Sequence, residues 1–314
     1  MKLIRNLINP TIKPFAKIFG KYQINYATAF ARGADADNAT PYSSGMQVRK
    51  DDRIVYKGRL YQATRDISSL TTEPNSEANA TALIDMGASN ANKFQDELIN
   101  SQTISSKSTN ALIIDVDTDK NFIDRVNLLN IIGESVSIFQ NEIKIKEIPL
   151  RARRAKSWLD FFTINTFLSY KKDISISLPP IKGRFLISIY PNSNGAALGH
   201  LSIGKGIDIG HCLYEPRISV LDYSRKKKDD WGNITLAKGK TATLLDIKAV
   251  VYTELVDEVK ETLRDACGEL VTLVADERDE GIKSLSLHGF IKEFNITVSN
   301  SQTSELNLSF EGVI

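Results

Sequence analysis

The sequence predicts a mainly β protein, built of sandwich-like or barrel-like domains with few helices. Three observations predict it. Apolar and polar residues alternate repeatedly beyond residue 110, as in Phe294, Ile296 and Val298, then Leu306, Leu308 and Phe310; a period of two is that of a half-buried strand. Turn formers punctuate these runs, among them Lys57-Gly58, Gln140-Asn141, Pro179-Pro180 and residues 299–303 (SNSQT). One segment alone carries a clear helical period: in Glu254 to Cys267, the residues Leu255, Val256, Val259, Leu263 and Cys267 share a face.

Taken in order, residues 1–34 form a basic, apolar arm. It holds Lys2, Arg5, Lys13, Lys17, Lys21 and Arg32 and no acid. Pro10 and Pro14 break any long helix there. Its apolar residues Leu3, Ile4, Leu7, Ile8, Phe15, Ile18 and Phe19 are too many for a free solvated tail, so we read an arm that contacts another subunit. An ordinary ordered segment and a membrane or nucleic-acid contact are the alternatives. Residues 35–50 read as a linker, 51–149 as a small β-rich domain and 150–314 as a β-rich domain with one packed helix. Within the first domain, Arg53 to Arg65 reads as two short strands about Lys57-Gly58, and residues 66–93 as a long surface loop. Ala111–Val116 and Phe122–Ile132 read as separate strands, and 136–145 as a hairpin around Gln140-Asn141. A short helix is expected around 155–162, after the basic run Arg151, Arg153, Arg154 and Lys156. Ile174, Ile176 and Leu178 form a strand that stops at Pro179-Pro180, and Phe185–Tyr190 forms the next. The 254–267 helix begins with Glu254, Asp257 and Glu258, where the helix dipole favours acids, and Gly268 is its stop.

Composition narrows the chemistry. The chain has 314 residues, and 40 Lys and Arg against 38 Asp and Glu leave a net charge of +2; a protein that coats nucleic acid is normally more basic. Two cysteines, Cys212 and Cys267, cannot make a disulfide framework or a four-ligand zinc site. His200, His211 and His288 lack metalloprotease spacing. Gly204, Gly206 and Gly210 have the wrong spacing for a phosphate-binding loop and read as turns or bulges. His211 and Cys212 are neighbours in a strand, so they diverge to opposite faces instead of forming a nucleophile–base pair. Asp115, Asp117 and Asp119 would project on one side of an extended segment without the rest of a calcium loop. Asp276, Glu277, Asp279 and Glu280 read as a charged turn. Tyr42, Tyr56 and Tyr61 could stack on sugar rings or pack in a core. No enzyme, cofactor or metal is expected.

Three blocks carry a resemblance. Residues 54–64 (IVYKGRLYQAT) are similar to the strand pair of small carbohydrate-binding-like modules. Residues 83–103 carry Asp85, Gly87, Asn90, Phe94 and Asp96, with Leu83 and Lys93 where the pattern has tryptophan. Residues 203–232 carry Asp222-Tyr223-Ser224 with Lys226, Asp230 and Gly232; the C-terminal residues Leu287, Gly289, Phe294, Ile296 and Ser299 also fit. In this order the blocks resemble a family of tailed-bacteriophage tail or baseplate structural proteins with an N-terminal carbohydrate-binding-like motif. The resemblance implies an oligomeric virion protein of the tail, baseplate or fibre-attachment apparatus, assembled in the host cytoplasm. Its implied partners are copies of itself and other tail proteins, with no nucleic acid and no membrane. The alternative is a receptor-binding module for bacterial surface glycans, with Tyr56, Tyr61, Asp85, Asn90 and Phe94 as glycan or partner contacts.

Overall fold

The computed structural model describes residues 2–5, 34–96, 98–106, 111–152, 169–228, 231–232, 234–276 and 285–313. The fold is mainly β, with several antiparallel sheets and one α-helix among the described residues. The expected helix near 155–162 and the arm residues Leu7, Ile8, Phe15, Ile18 and Phe19 lie outside the described residues.

The chain opens with β1 (Lys2–Arg5), and then builds a small module from β2 (Thr40–Pro41), β3 (Met46–Val48), β4 (Arg53–Tyr56), β5 (Arg59–Ala63), β6 (Ile67–Leu70) and β7 (Leu83–Ala88). β4 and β5 form the expected hairpin, and their order in the sheet is β2-β4-β5-β7. Lys57 (φ 47°) and Gly58 (φ 79°) are both left-handed, the conformation of a type I′ turn, which matches the twist of the flanking strands. Val48, Ile54, Tyr61, Ala63, Leu70 and Leu83 close the module's own core. Two expectations are corrected here. The 35–50 linker contains β2 and β3, and the 66–93 surface loop contains β6 and β7, each paired in the module. Their small polar composition hides strands whose partners lie elsewhere in the chain.

β8 (Thr103–Ser105) leads into β9 (Leu112–Leu129), β10 (Ser135–Gln140), β11 (Ile143–Pro149), β12 (Arg151–Ala152), β13 (Ser169–Tyr170), β14 (Ile174–Tyr190), β15 (Ala196–Leu198) and β16 (His200–Gly204). Five of these form a sheet in the order β11-β10-β14-β9-β16. The β10–β11 hairpin turns at Asn141 (φ 49°) and Glu142 (φ 69°), again both left-handed. β9 and β14 are far longer than the short strands expected from the pattern. Pro179-Pro180 does not end β14: the pairing with β9 skips from Ser177 to Ile181, because prolines offer no N–H to the ladder. β14 also pairs with β10, so the expected domain boundary at 149/150 falls inside this sheet. Its core includes Leu112, Ile114, Val126, Leu128, Phe185 and Ile187.

β17 (Gly206–Asp208), β18 (His211–Cys212), β19 (Arg217–Asp222), β20 (Arg225–Lys228), β21 (Ile234–Ala237), β22 (Thr241–Tyr252), β23 (Val271–Val274), β24 (Ser286–Val298) and β25 (Thr303–Gly312) follow, with α1 (Val256–Ala266) between β22 and β23. The second large sheet runs β17-β1-β23-β24-β25-β22-β18, and β19 joins it on β22. α1 buries Val259, Leu263 and Ala266 against a core of Leu245, Ile247, Leu306, Leu308 and Phe310, as its helical period predicts. β1 departs from the reading of Leu3 and Ile4 as part of an arm that contacts another subunit. Lys2–Arg5 pairs with β17 on one side and β23 on the other, so Leu3 and Ile4 are strand residues of their own chain's sheet. That pairing satisfies backbone groups that an extended arm would leave to solvent or to a partner.

The two large sheets meet in a buried polar seam. His200 on β16 stacks on His288 of β24 with ring centroids 4.8 Å apart. Thr272 Oγ1 lies 2.9 Å from His288 Nδ1 and 3.2 Å from Ser202 Oγ. Asp124 accepts from the Gly206 N–H at 2.7 Å where the chain passes from one sheet to the other. Burial pushes His200 down to about 4, opposed by the more distant Asp96 carboxylate, and pushes His288 down to about 3, helped by His200. Both rings are therefore neutral in the fold at pH 7.

The linkage has a definite sign. Below the unfolded value near 6.5, the unfolded chain takes up protons that the folded chain refuses, so stability is complete above that pH and is lost as pH falls toward the folded values. Between pH 7.5 and 5.5 the pair should cost about 2–3 kcal/mol. Thermal or urea unfolding at the two pH values measures it. His200→Gln combined with His288→Gln should flatten the difference; an unchanged pH slope would contradict the assignment.

Candidate functional site

The residues singled out from the sequence fall at three places. The first is the joint between the small module and the five-stranded sheet. Asn90 opens a 3₁₀ segment (Asn90–Gln95) and is only 8% exposed. Its Nδ2 donates to the carbonyls of Asp35 and Ile104, both at 2.9 Å, and its Oδ1 accepts from Ile104 N at 3.1 Å. Its own N–H donates to Asp37 Oδ2 at 2.8 Å, while Asp35 Oδ2 accepts from Ser106 N at 2.9 Å. Phe94 is fully buried in the core of the five-stranded sheet, and its N–H donates to Thr103 Oγ1 at 3.1 Å. Asn90 and Phe94 thus tie three chain segments together and are not open to a sugar, which corrects their reading as glycan contacts. Asp85 is exposed on β7, where it accepts from Arg59 Nε and the Gly87 N–H, both at 2.8 Å.

The second place is the aromatic face of the module. Tyr61 is buried in the module core and unavailable for stacking, a second correction. Tyr56 is half-buried and meets Tyr42 edge to face at 5.1 Å. Lys57 Nζ lies 4.8 Å from the centre of the Tyr56 ring and 3.3 Å from Glu73 Oε2. The Tyr56 hydroxyl and the Glu73 carboxylate raise Lys57, and the same hydroxyl and Lys57 hold Glu73 below its usual range. Of the expected stacking residues, Tyr42 and Tyr56 are brought together and Tyr61 is withheld.

The third place is the far edge of the eight-stranded sheet. His211 is exposed and lies edge-on to Tyr252 at 6.3 Å, while Cys212 packs toward the core. Burial raises the Cys212 thiol, which disfavours the thiolate a nucleophile needs. Next to this edge, Asp222 Oδ1 accepts from Ser224 N at 2.9 Å, and Ser224 Oγ accepts from Gly239 N at 2.9 Å. Tyr223 Oη donates to Glu311 Oε1 at 2.8 Å. The residues Asp222-Tyr223-Ser224 therefore pin the base of the β20–β21 hairpin, whose tip carries Trp231 at 90% exposure. Asp115, expected to project on one side with Asp117 and Asp119, is buried and paired with Arg184, whose Nε lies 2.9 and 3.1 Å from its two oxygens. No cluster of three or more metal-ligating side chains occurs among the described residues.

Sequence reasoning missed two features, the His200–His288 pair and Trp231. The available signal for the first was a histidine within each of two apolar strands. For the second it was a run of four bases, Arg225 to Lys228, followed by the sequence Asp-Asp-Trp-Gly.

No family model matches the chain. No curated protein matches it either. Among solved structures, the chain is similar to one from the "Tail of empty GTA particle computed with helical refinement, C6 symmetry". The TM-score is 0.26 at 14% identity, over 35% of this chain and 84% of that one. A likeness at that level assigns neither a fold nor a role.

The joint makes a quantitative contrast. Asn90→Ala strands buried donors and acceptors and should cost about 2–3 kcal/mol of unfolding free energy. Asp85→Asn breaks an exposed pair and should cost less than about 1 kcal/mol. Denaturant titration of both variants checks this; equal effects would contradict the clamp.

Proposed function

We propose that the chain is a structural subunit of a tailed-phage-like particle, in its tail, baseplate or fibre-attachment apparatus. It works by self-association and by holding neighbouring subunits, without catalysis. One observation carries the reading: residues in the resembling blocks are spent on architecture. Asn90 and Phe94 clamp the module to the five-stranded sheet. Asp222 and Ser224 fix the base of a projecting hairpin. Gly289 lets two strands approach, since a Cβ there would stand 1.9 Å from the Glu311 carbonyl oxygen. We further read three packing units, one for each of the three largest separate cores, in place of the two domains expected at 51–149 and 150–314.

A receptor-binding role is the second reading. The partly exposed Tyr42–Tyr56 pair favours it, because aromatic faces suit the apolar faces of sugars. In that role the module would present the pair outward while the two large sheets anchor it.

Gradient-purified particles from the source test the first reading. The chain should co-purify in a fixed copy number that matches the symmetry of a tail ring. Recovery only with free protein would contradict it. Binding of host polysaccharide by the free chain, abolished by Tyr56→Ala, would favour the second.

A further inference from the structure

The eight-stranded sheet has two unlike ends; exposed apolar side chains stand at both, as well as along its β18–β19 edge, where Tyr214 and Val220 are exposed. At the Thr241 end of β22, the paired strand β19 finishes and the chain runs out into the β20–β21 hairpin. Trp231 is 90% exposed there, with Leu236 at 60% and Tyr223 at 53%. Arg225, Lys227 and Lys228 are exposed among them. Residues 217–240 hold seven bases against three acids. At the Tyr252 end the chain turns into α1. Tyr252, Leu255 and Val298 are exposed there at 58%, 45% and 63%, with Glu254, Asp257 and Glu258 exposed beside them. Residues 254–269 hold six acids against two bases. A chain with a net charge of only +2 has thus separated its charges onto two apolar patches of opposite sign.

The strand sets their separation. β22 has 12 residues, and at about 3.4 Å per residue its ends stand about 37 Å apart. One chain cannot close that distance on itself, but a second copy can. We propose that the β20–β21 hairpin of one copy docks on the Tyr252, Leu255 and Val298 patch of the next, its bases facing the acids at the start of α1. This takes from the preceding reading only that copies associate. Because the two patches differ, the contact is heterologous, and repetition gives a stack or a ring in preference to a closed two-fold dimer. Trp231 is the residue whose burial would contribute most, since a large aromatic that becomes fully desolvated is the usual anchor of an interface. The charges supply orientation and encounter rate, and they make association weaken as salt is raised.

Sedimentation velocity of the full chain across a concentration series tests this. The wild type should associate reversibly, and less at high salt. Trp231→Ala should weaken association at least about thirtyfold, the loss expected of an interface anchor. Reversing Arg225, Lys227 and Lys228 to Glu should abolish association, and reversing Glu254, Asp257 and Glu258 to Lys in the same chain should restore it. That restoration also shows that the reversed hairpin still folds. A monomeric wild type at all concentrations, association unaffected by Trp231→Ala, or no restoration in the doubly reversed chain would each overturn the proposal. So would a wild-type chain that stays monomeric and instead binds duplex DNA through the same bases.

Discussion

β22 is paired along both edges, and that double pairing decides where the second large sheet can offer surface. On one edge β25 runs against it from Leu244 to Tyr252. On the other, β19 and β18 share its length, β19 from Thr241 to Asp246 and β18 at Ala249 and Val250. With its ladder groups satisfied, the strand offers no edge for uncontrolled addition of another strand. The chain that leaves β19 at Asp222 does not pair with the sheet again at once. It folds back on itself as a two-stranded hairpin, whose base is held by Asp222, Ser224 and Tyr223. At the opposite end the chain enters α1, whose buried side seals the core and whose other side carries acids. Two ends of unlike chemistry thus flank one strand.

The two large sheets join by different physics. Each has its own apolar core, and between them lies the stacked pair of neutral imidazoles with the hydroxyls of Ser202 and Thr272. Burying such groups costs solvation that hydrogen bonds only partly return. In exchange the contact is directional: one orientation satisfies the Ser202–Thr272–His288 chain and stacks the rings. β1 reinforces the join, because it lies in the second sheet between β17 and β23, and β17 follows directly on β16 of the first.

What the sequence disclosed was local. The β4–β5 and β10–β11 turns, the alternation of β24 and β25 and the apolar stripe of α1 depend on residues a few positions apart, and all were legible. What it concealed was partnership. Lys2–Arg5 carries no sign that its neighbours in the sheet are residues 206–208 and 271–274. β14 passes through Pro179-Pro180 because pairing with β9 resumes at Ile181 and Ile123, a partnership that the prolines alone do not reveal. Tyr61 and Phe94 read as candidate contacts because aromatic residues serve cores and surfaces alike, and only the packing separates the two. His200 and His288 gave no motif because a stacked pair requires no spacing along the chain.

Association of copies by unlike ends of one sheet can be seen in a single-particle reconstruction of the associated protein. The β22 strands of successive copies should point the same way, with Trp231 of one copy beside Tyr252 of the next. A two-fold dimer in which hairpin meets hairpin, or one in which both ends of β22 remain in solvent, would contradict it.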